Sequence, residues 1–450
     1  MELTEGVFVT HHGGKDTVTG SCHELSINGS SILIDCGLFQ GADALGSRLD
    51  ISFSLSSVRA LVLTHAHIDH IGRLPWLFAA GFRGPIYCTQ ATAHLVPLML
   101  EDGLKLQLNL NAAARGRILD LITRHLHPVR YQEWMPVKDT GHGYFTYLRF
   151  QHAGHILGSA YVEIKLPNKE VVVFSGDLGP AQTPLLPDPK PPQRADYLFL
   201  ESTYGNKRHE SPATRSQRLR KIVDRSLADG GAILIPAFSV GRTQELIYDF
   251  EQLLFENKVS SRLPIILDSP MAAKVTKAYR QYRKLWSKEA KRHIQNGRHP
   301  LNFEQCVVVD SHRDHMRILN RLASSGEPAI VLAASGMCQG GRITNYLKAL
   351  LPDERTDVVF CGYQASGTLG RAIQSGQRHV EIDGETVRVN AAIHSMSGYS
   401  AHADKQDLMS FVAGCASELK QLHLIHGESE SKNELASNFK SVFPLVPVIC

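Results

Sequence analysis

No run in the 450 residues reaches the roughly 18 consecutive apolar side chains that a membrane-spanning helix needs, so no membrane segment is expected. The opening, Met1-Glu2-Leu3-Thr4-Glu5, lacks a basic stretch followed by an apolar core, which argues against a secretory signal. Cysteine is sparse: eight residues, scattered singly, with no Cys-x-x-Cys pair. Cys36 and Cys361 lie inside apolar runs, where a thiol reads as a small core residue. That usage fits a reducing cytoplasm better than a disulfide framework. Excess charge is lacking too. The net is only +4, so bulk charge barely argues for an acidic partner and any such argument rests on local patches. Internal repeats and low-complexity segments are absent. What remains is a chain with an ordinary 43% apolar content and a length beyond one hydrophobic core, so two domains are expected.

The densest chemistry lies at Leu63-Thr64-His65-Ala66-His67-Ile68-Asp69-His70. It follows the apolar run Ala60-Leu61-Val62-Leu63, a buried strand by pattern, and Gly72 and Pro75 then mark a turn with a helix after it. Neutral imidazole and carboxylate are ligands for zinc or a similar divalent ion. His-x-His-x-Asp-His packs too many of them too tightly for a polar loop that is histidine-rich by chance.

Other strand-like runs end the same way. Ser31-Ile32-Leu33-Ile34 closes on Asp35, Val171-Val172-Val173-Phe174 is followed by Ser175-Gly176-Asp177, and Tyr197-Leu198-Phe199-Leu200 closes on Glu201. His155 sits between glycines in Ala153-Gly154-His155-Ile156-Leu157-Gly158, which permits a sharp turn. Acidic and histidine side chains recurring at strand ends indicate one rim of a sheet, where active sites collect. Residues 91–124 carry Leu, Met and Ala at helical spacing, a core stripe.

Beyond about residue 208 the pattern changes to alternating helix and strand: helix 211–229, strand 232–236, helix 241–256, strand 264–268, a long helix 271–296, and strands 305–309, 329–334 and 357–361. That alternation predicts a parallel sheet flanked by helices. Later, Ser400-Ala401-His402-Ala403-Asp404 and Leu424-Ile425-His426-Gly427-Glu428 bring back histidine-bearing units. The boundaries expected are 1–208 for a first part, 209–388 for an inserted domain and 389–450 for the completing part.

Taken in order, Asp35, His65-x-His67-x-Asp69-His70, Gly154-His155 and Asp177 resemble the four motifs of the metallo-β-lactamase fold. Glu201-Ser-Thr-Tyr-Gly, Tyr399-Ser-Ala-His402-Ala-Asp404 and Ile425-His426-Gly427-Glu428 resemble the three further motifs of its β-CASP branch, which includes the cleavage-and-polyadenylation endonuclease and RNase J. The resemblance implies an α/β architecture: an αββα sandwich with an inserted β-CASP domain of mainly parallel sheet. It implies two Zn2+ ions, with Mn2+ as the alternative. His65, His67 and His155 would hold one, Asp69, His70 and His426 the other, with Asp177 bridging and Asp35 orienting a ligand histidine. His402 with Glu201 would protonate the leaving oxygen, and Asp69 is counted with the catalytic groups as well. Within the family, histidine at the last motif marks RNA-type members, so His426 favours RNA.

The function expected is therefore metal-dependent hydrolysis of single-stranded RNA bound in a cleft between the two domains, by a cytoplasmic enzyme for which a homodimer is left open. Small-ester or thioester hydrolysis and a non-catalytic RNA-binding role are the rivals. Segment 274–298 carries nine Lys or Arg against the one acid Glu289, with Tyr279, Tyr282 and Trp286 interleaved. Such a stretch suits phosphate tracking and base stacking, and equally a solvated helix whose aromatics face the core. Gly/Ser turns at Ser335-Gly336 and Gly362-Tyr363-Gln364-Ala365-Ser366-Gly367 offer backbone N–H groups for a phosphate, which makes Ser335, Gly336 and Gly367 candidate substrate contacts.

Overall fold

A computed structural model of the chain describes residues 1–47, 49–107, 110–137, 146–257, 263–362, 364–365 and 367–450. Tyr363 and Ser366 of the second Gly/Ser turn lie outside the described residues. The chain divides into two compact units: Met1–Thr183 with Pro187–Arg208 and His402–Cys450, and Pro184–Leu186 with His209–Ala401.

The first unit is a sandwich. One seven-stranded sheet runs in chain order through Glu2–Thr4, Val7–Gly13, Cys22–Ile27, Ser30–Ile34, Val58–Val62, Ile86–Thr89 and Leu126–Val129. The other has the order Val448–Ile449, Gln421–Ile425, Tyr197–Glu201, Val171–Phe174, Ala160–Lys165, Thr146–His152 and Met135–Val137. Period-two alternation sorts the side chains. Val172, Phe174, Tyr197 and Phe199 turn inward and meet Val9, Leu25, Ile34 and Val62 of the first sheet. Val171, Val173, Leu198 and Leu200 turn outward, under the helices Lys405–Ala413 and Ser429–Val442 through Leu408, Phe411, Leu435 and Phe439. On the other side, helix Gln90–Gln107 packs on Ile86–Thr89 and Leu126–Val129. The layers are thus α, β, β, α.

Strand direction explains why the chemistry gathers on one rim. Ser30–Ile34 and Val58–Val62 are parallel, and so are Val171–Phe174, Tyr197–Glu201 and Gln421–Ile425. Within each sheet the C-terminal ends of these strands fall on one edge. Two glycines let the ends close up. A Cβ on Gly37 would collide with the Asp69 carbonyl, and one on Gly176 (φ +51°) would lie 2.7 Å from the Thr64 side chain.

The second unit is built on an all-parallel six-stranded sheet, in the order Cys306–Val308, Ile265–Asp268, Ala329–Ala333, Ala232–Pro236, Asp357–Phe360, Ala392–Ser395. Strand Ala392–Ser395 belongs to it, and the hairpin His379–Ile382 with Glu385–Arg388 stands as a separate two-stranded sheet. The long helix expected over 271–296 is not continuous. Pro270–Gln281 ends at Tyr282, a short 3-10 turn spans Arg283–Leu285, Trp286 is extended, and Ser287 caps a new helix, Lys288–Gln295, by accepting from Ala290 N–H. The aromatics there do not form a stacking surface. Tyr279 and Trp286 are buried, and the Trp286 indole donates to the Tyr279 carbonyl at 3.0 Å. Tyr282 is half-buried. The cations stay outside: Lys277, Arg283, Lys284, Lys288, Lys291 and Arg292 are exposed.

Candidate metal centre

Asp35 follows its strand in left-handed backbone (φ +60°), and His426 does likewise at φ +51°. Non-glycine residues rarely adopt this conformation, and where they do the surroundings enforce it. Here the strand ends do so. Asp35 Oδ1 accepts from Thr64 N–H and Oδ2 from the Thr64 hydroxyl, both at 2.8 Å, while Oδ2 also meets His70 Nδ1 at 2.7 Å. Asp35 therefore ties the end of one strand to the histidine cluster that follows its neighbour. Thr64 was not singled out from the sequence. Its one signal is a hydroxyl beside the first histidine of the cluster, and its Oγ1 also stands 3.1 Å from His65 Nδ1.

The expected ligands fall into two groups that share one carboxylate. His65, His67, His155 and Asp177 offer ligand atoms that all lie within 4.8 Å of one another, and so do Asp69, His70, Asp177 and His426. Asp177 Oδ2 faces the first group, 3.5 Å from His65 Nε2 and 3.5 Å from His155 Nε2. Oδ1 faces the second, 3.2 Å from His70 Nε2 and 3.4 Å from His426 Nε2. His67 Nδ1 closes the first group at 3.1 Å from His65 Nε2 and 3.0 Å from His155 Nε2.

Two observations test whether divalent cations suit these groups. Among the described residues, His70 Nε2 and Asp177 Oδ1 are buried with no hydrogen-bond partner beyond the donor set itself, where they face each other at 3.2 Å, which is costly for polar atoms unless an ion engages them. Donors bonded at about 2.0–2.1 Å in a tetrahedron are themselves about 3.4 Å apart, close to the spacings seen here. The residues fit the ions.

Burial sets the ionisation. It holds the His65 imidazolium well below the usual histidine range, with His70 adding to the effect, and brings His426 down to about 4, so both rings are neutral near pH 7. Burial lifts Asp69 to about 6. For Asp177 burial acts upward but is outweighed by His70, His426 and His65, which keep the carboxyl well below its ordinary value.

A third cluster adjoins the other two. His402 Nδ1 lies 3.0 Å from Glu201 Oε2 and 3.8 Å from Asp177 Oδ2. Glu201 is fully buried and held by two donors, Leu178 N–H at 2.6 Å and the Thr203 hydroxyl at 2.7 Å. Burial alone would depress the His402 pKa, but Glu201 and then Asp177 raise it to about 9. The His402 side chain is 21% exposed, the most accessible of the three residues in this cluster.

The remaining candidates, Ser335, Gly336 and Gly367, lie on loops of the second unit. Ser335 N–H is committed to the Gly340 carbonyl at 3.3 Å, and Gly336 leaves no space for a Cβ against the Phe238 ring.

An αββα sandwich whose strand ends collect five histidines and two aspartates in two groups joined by one carboxylate defines a metallo-hydrolase on the metallo-β-lactamase fold. Residues 17–206 match the family model of the metallo-beta-lactamase superfamily, 243–373 that of the Beta-Casp domain, and 386–448 that of the Zn-dependent metallo-hydrolase RNA specificity domain. Ribonuclease TTHA0252 of Thermus thermophilus is 38% identical over 419 residues, covering 93% of this chain and 92% of that one. Transcription termination factor FttA of Methanosarcina mazei is 32% identical, with 96% and 68% covered, and FttA of Methanocaldococcus jannaschii is 31% identical, with 97% and 69% covered. A crystal structure of a protein of unknown function from Enterococcus faecalis V583 shares the fold, at TM-score 0.53 and 14% identity over 99% of this chain and 97% of that one. The chain belongs to the β-CASP family of metallo-β-lactamase-fold hydrolases, with the Beta-Casp domain inserted in the sandwich.

Proposed function

We propose that the protein is a zinc-dependent ribonuclease that hydrolyses single-stranded RNA, manganese being the alternative ion. The observation that carries the reading is Asp177, one carboxylate whose two oxygens face two separate donor sets. In this reading His65, His67 and His155 hold one cation, Asp69, His70 and His426 hold the other, Asp177 serves both, and Asp35 fixes the His70 ring. Bound there, a pair of divalent cations supplies an acidified water and positive charge against the phosphoryl oxygens.

The rest falls to side chains of the chain itself. As the water oxygen bonds to phosphorus and the bond to the ribose oxygen breaks, the leaving alkoxide needs a proton. His402 is suited to give it. Its Nδ1 is engaged by Glu201, so the transferable proton is the one on Nε2, and the carboxylate stabilises the imidazolium beforehand. RNA as substrate is supported by the RNA specificity description matched at 386–448, by the ribonuclease name of the relative that is 38% identical, and by the exposed cations of 277–292, which suit a phosphate backbone.

The test is to incubate 5′- and 3′-labelled single-stranded RNA with zinc-loaded wild-type protein and with Asp177→Asn, and to size the products. Wild type should cleave, and the variant should lose at least about 10²-fold in rate with its melting temperature near that of wild type. Full activity in Asp177→Asn would falsify the reading. Thioester turnover in excess of RNA turnover would point to a small-ester hydrolase. Purified protein that binds RNA but neither zinc nor turnover would point to a non-catalytic partner.

A further inference from the structure

The metal centre leans on a loop that supplies none of the assigned ligands. His426 is held by its backbone from two sides. Its carbonyl accepts from Ser202 N–H and from the Thr203 hydroxyl, both at 3.2 Å, and its N–H donates to the Gly14 carbonyl at 2.8 Å. Gly14 opens the loop that joins strand Val7–Gly13 to strand Cys22–Ile27. The far end of that loop meets another assigned ligand, for Ser21 N–H donates to the Asp69 carbonyl at 2.9 Å. The two ends press on each other, since a Cβ on Gly14 would lie 2.7 Å from the Ser21 Cα. One loop therefore bears on the backbones of Asp69 and His426, two of the three residues assigned to the second cation alongside Asp177.

Lys432 fastens this loop. It stands near the start of helix Ser429–Val442 with a side chain only 4% exposed. Its Nζ donates to Asp16 Oδ1 at 2.6 Å and to the Lys15 carbonyl at 3.0 Å. Lysine is rarely buried without a partner, and an ammonium taken out of water is costly unless it is paired and hydrogen-bonded. An apolar side chain of similar length would serve packing as well or better. What the ammonium adds is a grip on the two residues that follow Gly14. The helix is itself anchored beside His426. The Ser431 hydroxyl donates to the carbonyl of Ser202, the residue whose N–H meets His426, at 2.6 Å. The contacts close a ring from Ser202 to His426, on to Gly14 and Lys15, across to Lys432 and back along the helix.

We infer that Lys432, with Asp16, is a positioning residue for the second cation site: it holds the loop against His426 and so sets how tightly Asp69, His70 and His426 bind their ion. The inference rests on the two-cation reading of the centre. The ion of His65, His67 and His155 should be almost indifferent to it, because the loop bonds end on Asp69 and His426.

The test is to strip the full-length protein of metal and titrate zinc in competition with a chromophoric chelator. Wild type should show two binding steps, and His426→Ala identifies the second site as the step it weakens. Lys432→Met keeps a stem of similar length and removes the ammonium, and Asp16→Ala removes its partner on a side chain that is 66% exposed. Groups that orient metal ligands are worth about 10–100-fold in affinity, so each variant should weaken that same step by about 10-fold and leave the other within about threefold. Lys432→Arg, which keeps the charge and the donors, should stay within about threefold of wild type at both steps. Melting temperatures of the metal-free proteins report folding, and if Lys432→Met does not fold, Asp16→Ala decides. Wild-type affinity at the His426 step in a folded variant, or an equal loss at both steps, overturns the inference. A wild type with a single step, or a His426→Ala variant with both steps intact, defeats the two-cation reading instead.

Discussion

Asp35 shows how much one side chain does in this centre. It has no place among the donors that face Asp177, yet three polar groups of the cluster converge on its carboxylate. Its left-handed backbone also makes the choice of substitution matter. Asparagine tolerates φ > 0 and keeps the shape, so Asp35→Asn removes the charge without adding strain, whereas alanine would do both. Partners of metal-ligating histidines are typically worth about 10–100-fold in metal affinity. Asp35→Asn should weaken zinc binding by that factor in a chelator competition, and unchanged affinity would remove Asp35 from the metal site. Glu201 acts on ionisation instead. A histidine that serves as the acid works protonated, so the RNA rate falls as pH rises through its pKa. Glu201 is the main group raising that pKa. Replacing it by glutamine removes the raising charge, so the alkaline limb of kcat/KM against pH should move to lower pH. A limb that stays in place, or moves upward, would mean that His402 is not the titrating acid.

At the level of elements, the parts most legible in the sequence were buried strands that end on a polar residue. Each apolar run before Asp35, His65, Glu201 and His426 could be read as a strand, and helix–strand alternation after residue 208 spelled a parallel sheet. What the pattern could not give was pairing across distance. Nothing local says that Gln421–Ile425 lies beside Tyr197–Glu201, or that Thr64 completes the grip on Asp35. The helix expected over 271–296 failed for a different reason. Its basic and apolar residues keep helical spacing through Tyr282–Ser287, but Trp286 leaves the helix to reach the Tyr279 carbonyl, and Ser287 with Glu289 two residues on was a readable start signal. The break sorts the segment into an apolar inner side and a cationic outer side, and the two predict opposite phenotypes. Trp286→Ala should destabilise by roughly 3–5 kcal/mol, read in a urea melt, as loss of a buried aromatic. Lys288, Lys291 and Arg292 changed together to glutamine should leave stability alone. For single strands each phosphate contact contributes about 0.7 to the salt slope, so this triple variant should flatten log K for RNA against log salt by about 2. An unchanged slope would show that these charges face only solvent.

On the scale of the whole molecule, the sandwich is not complete until the chain returns from the insertion. Strand Gln421–Ile425 fills the place between Tyr197–Glu201 and Val448–Ile449, and it brings His423 to the inner face. There the ring stacks on Phe199 at 4.5 Å, Phe199 stacks on Phe174 at 4.6 Å, and His23 of the opposite sheet lies over Phe174 at 6.0 Å. The core where the two sheets meet therefore contains histidines that have no place in the metal groups. Burial forces them to stay neutral: His423 is lowered to about 4, and His23 is held well below the usual range. Unfolded, each would titrate near 6.5. Below that pH the unfolded chain binds more protons than the folded one, so stability rises with pH through this window. Their contribution is intact above about pH 6.5 and is lost as pH falls from there toward 4. For His423 alone, the two pKa values correspond to about 2 kcal/mol lost between pH 7 and pH 5. His423→Phe keeps a ring against Phe199 and cannot charge. Urea midpoints at the two pH values should show wild type losing more stability than the variant, by about that amount. Because loss of metal in acid affects both proteins alike, the difference between them isolates the core histidine, and equal losses would show that the buried ring does not govern the acid response.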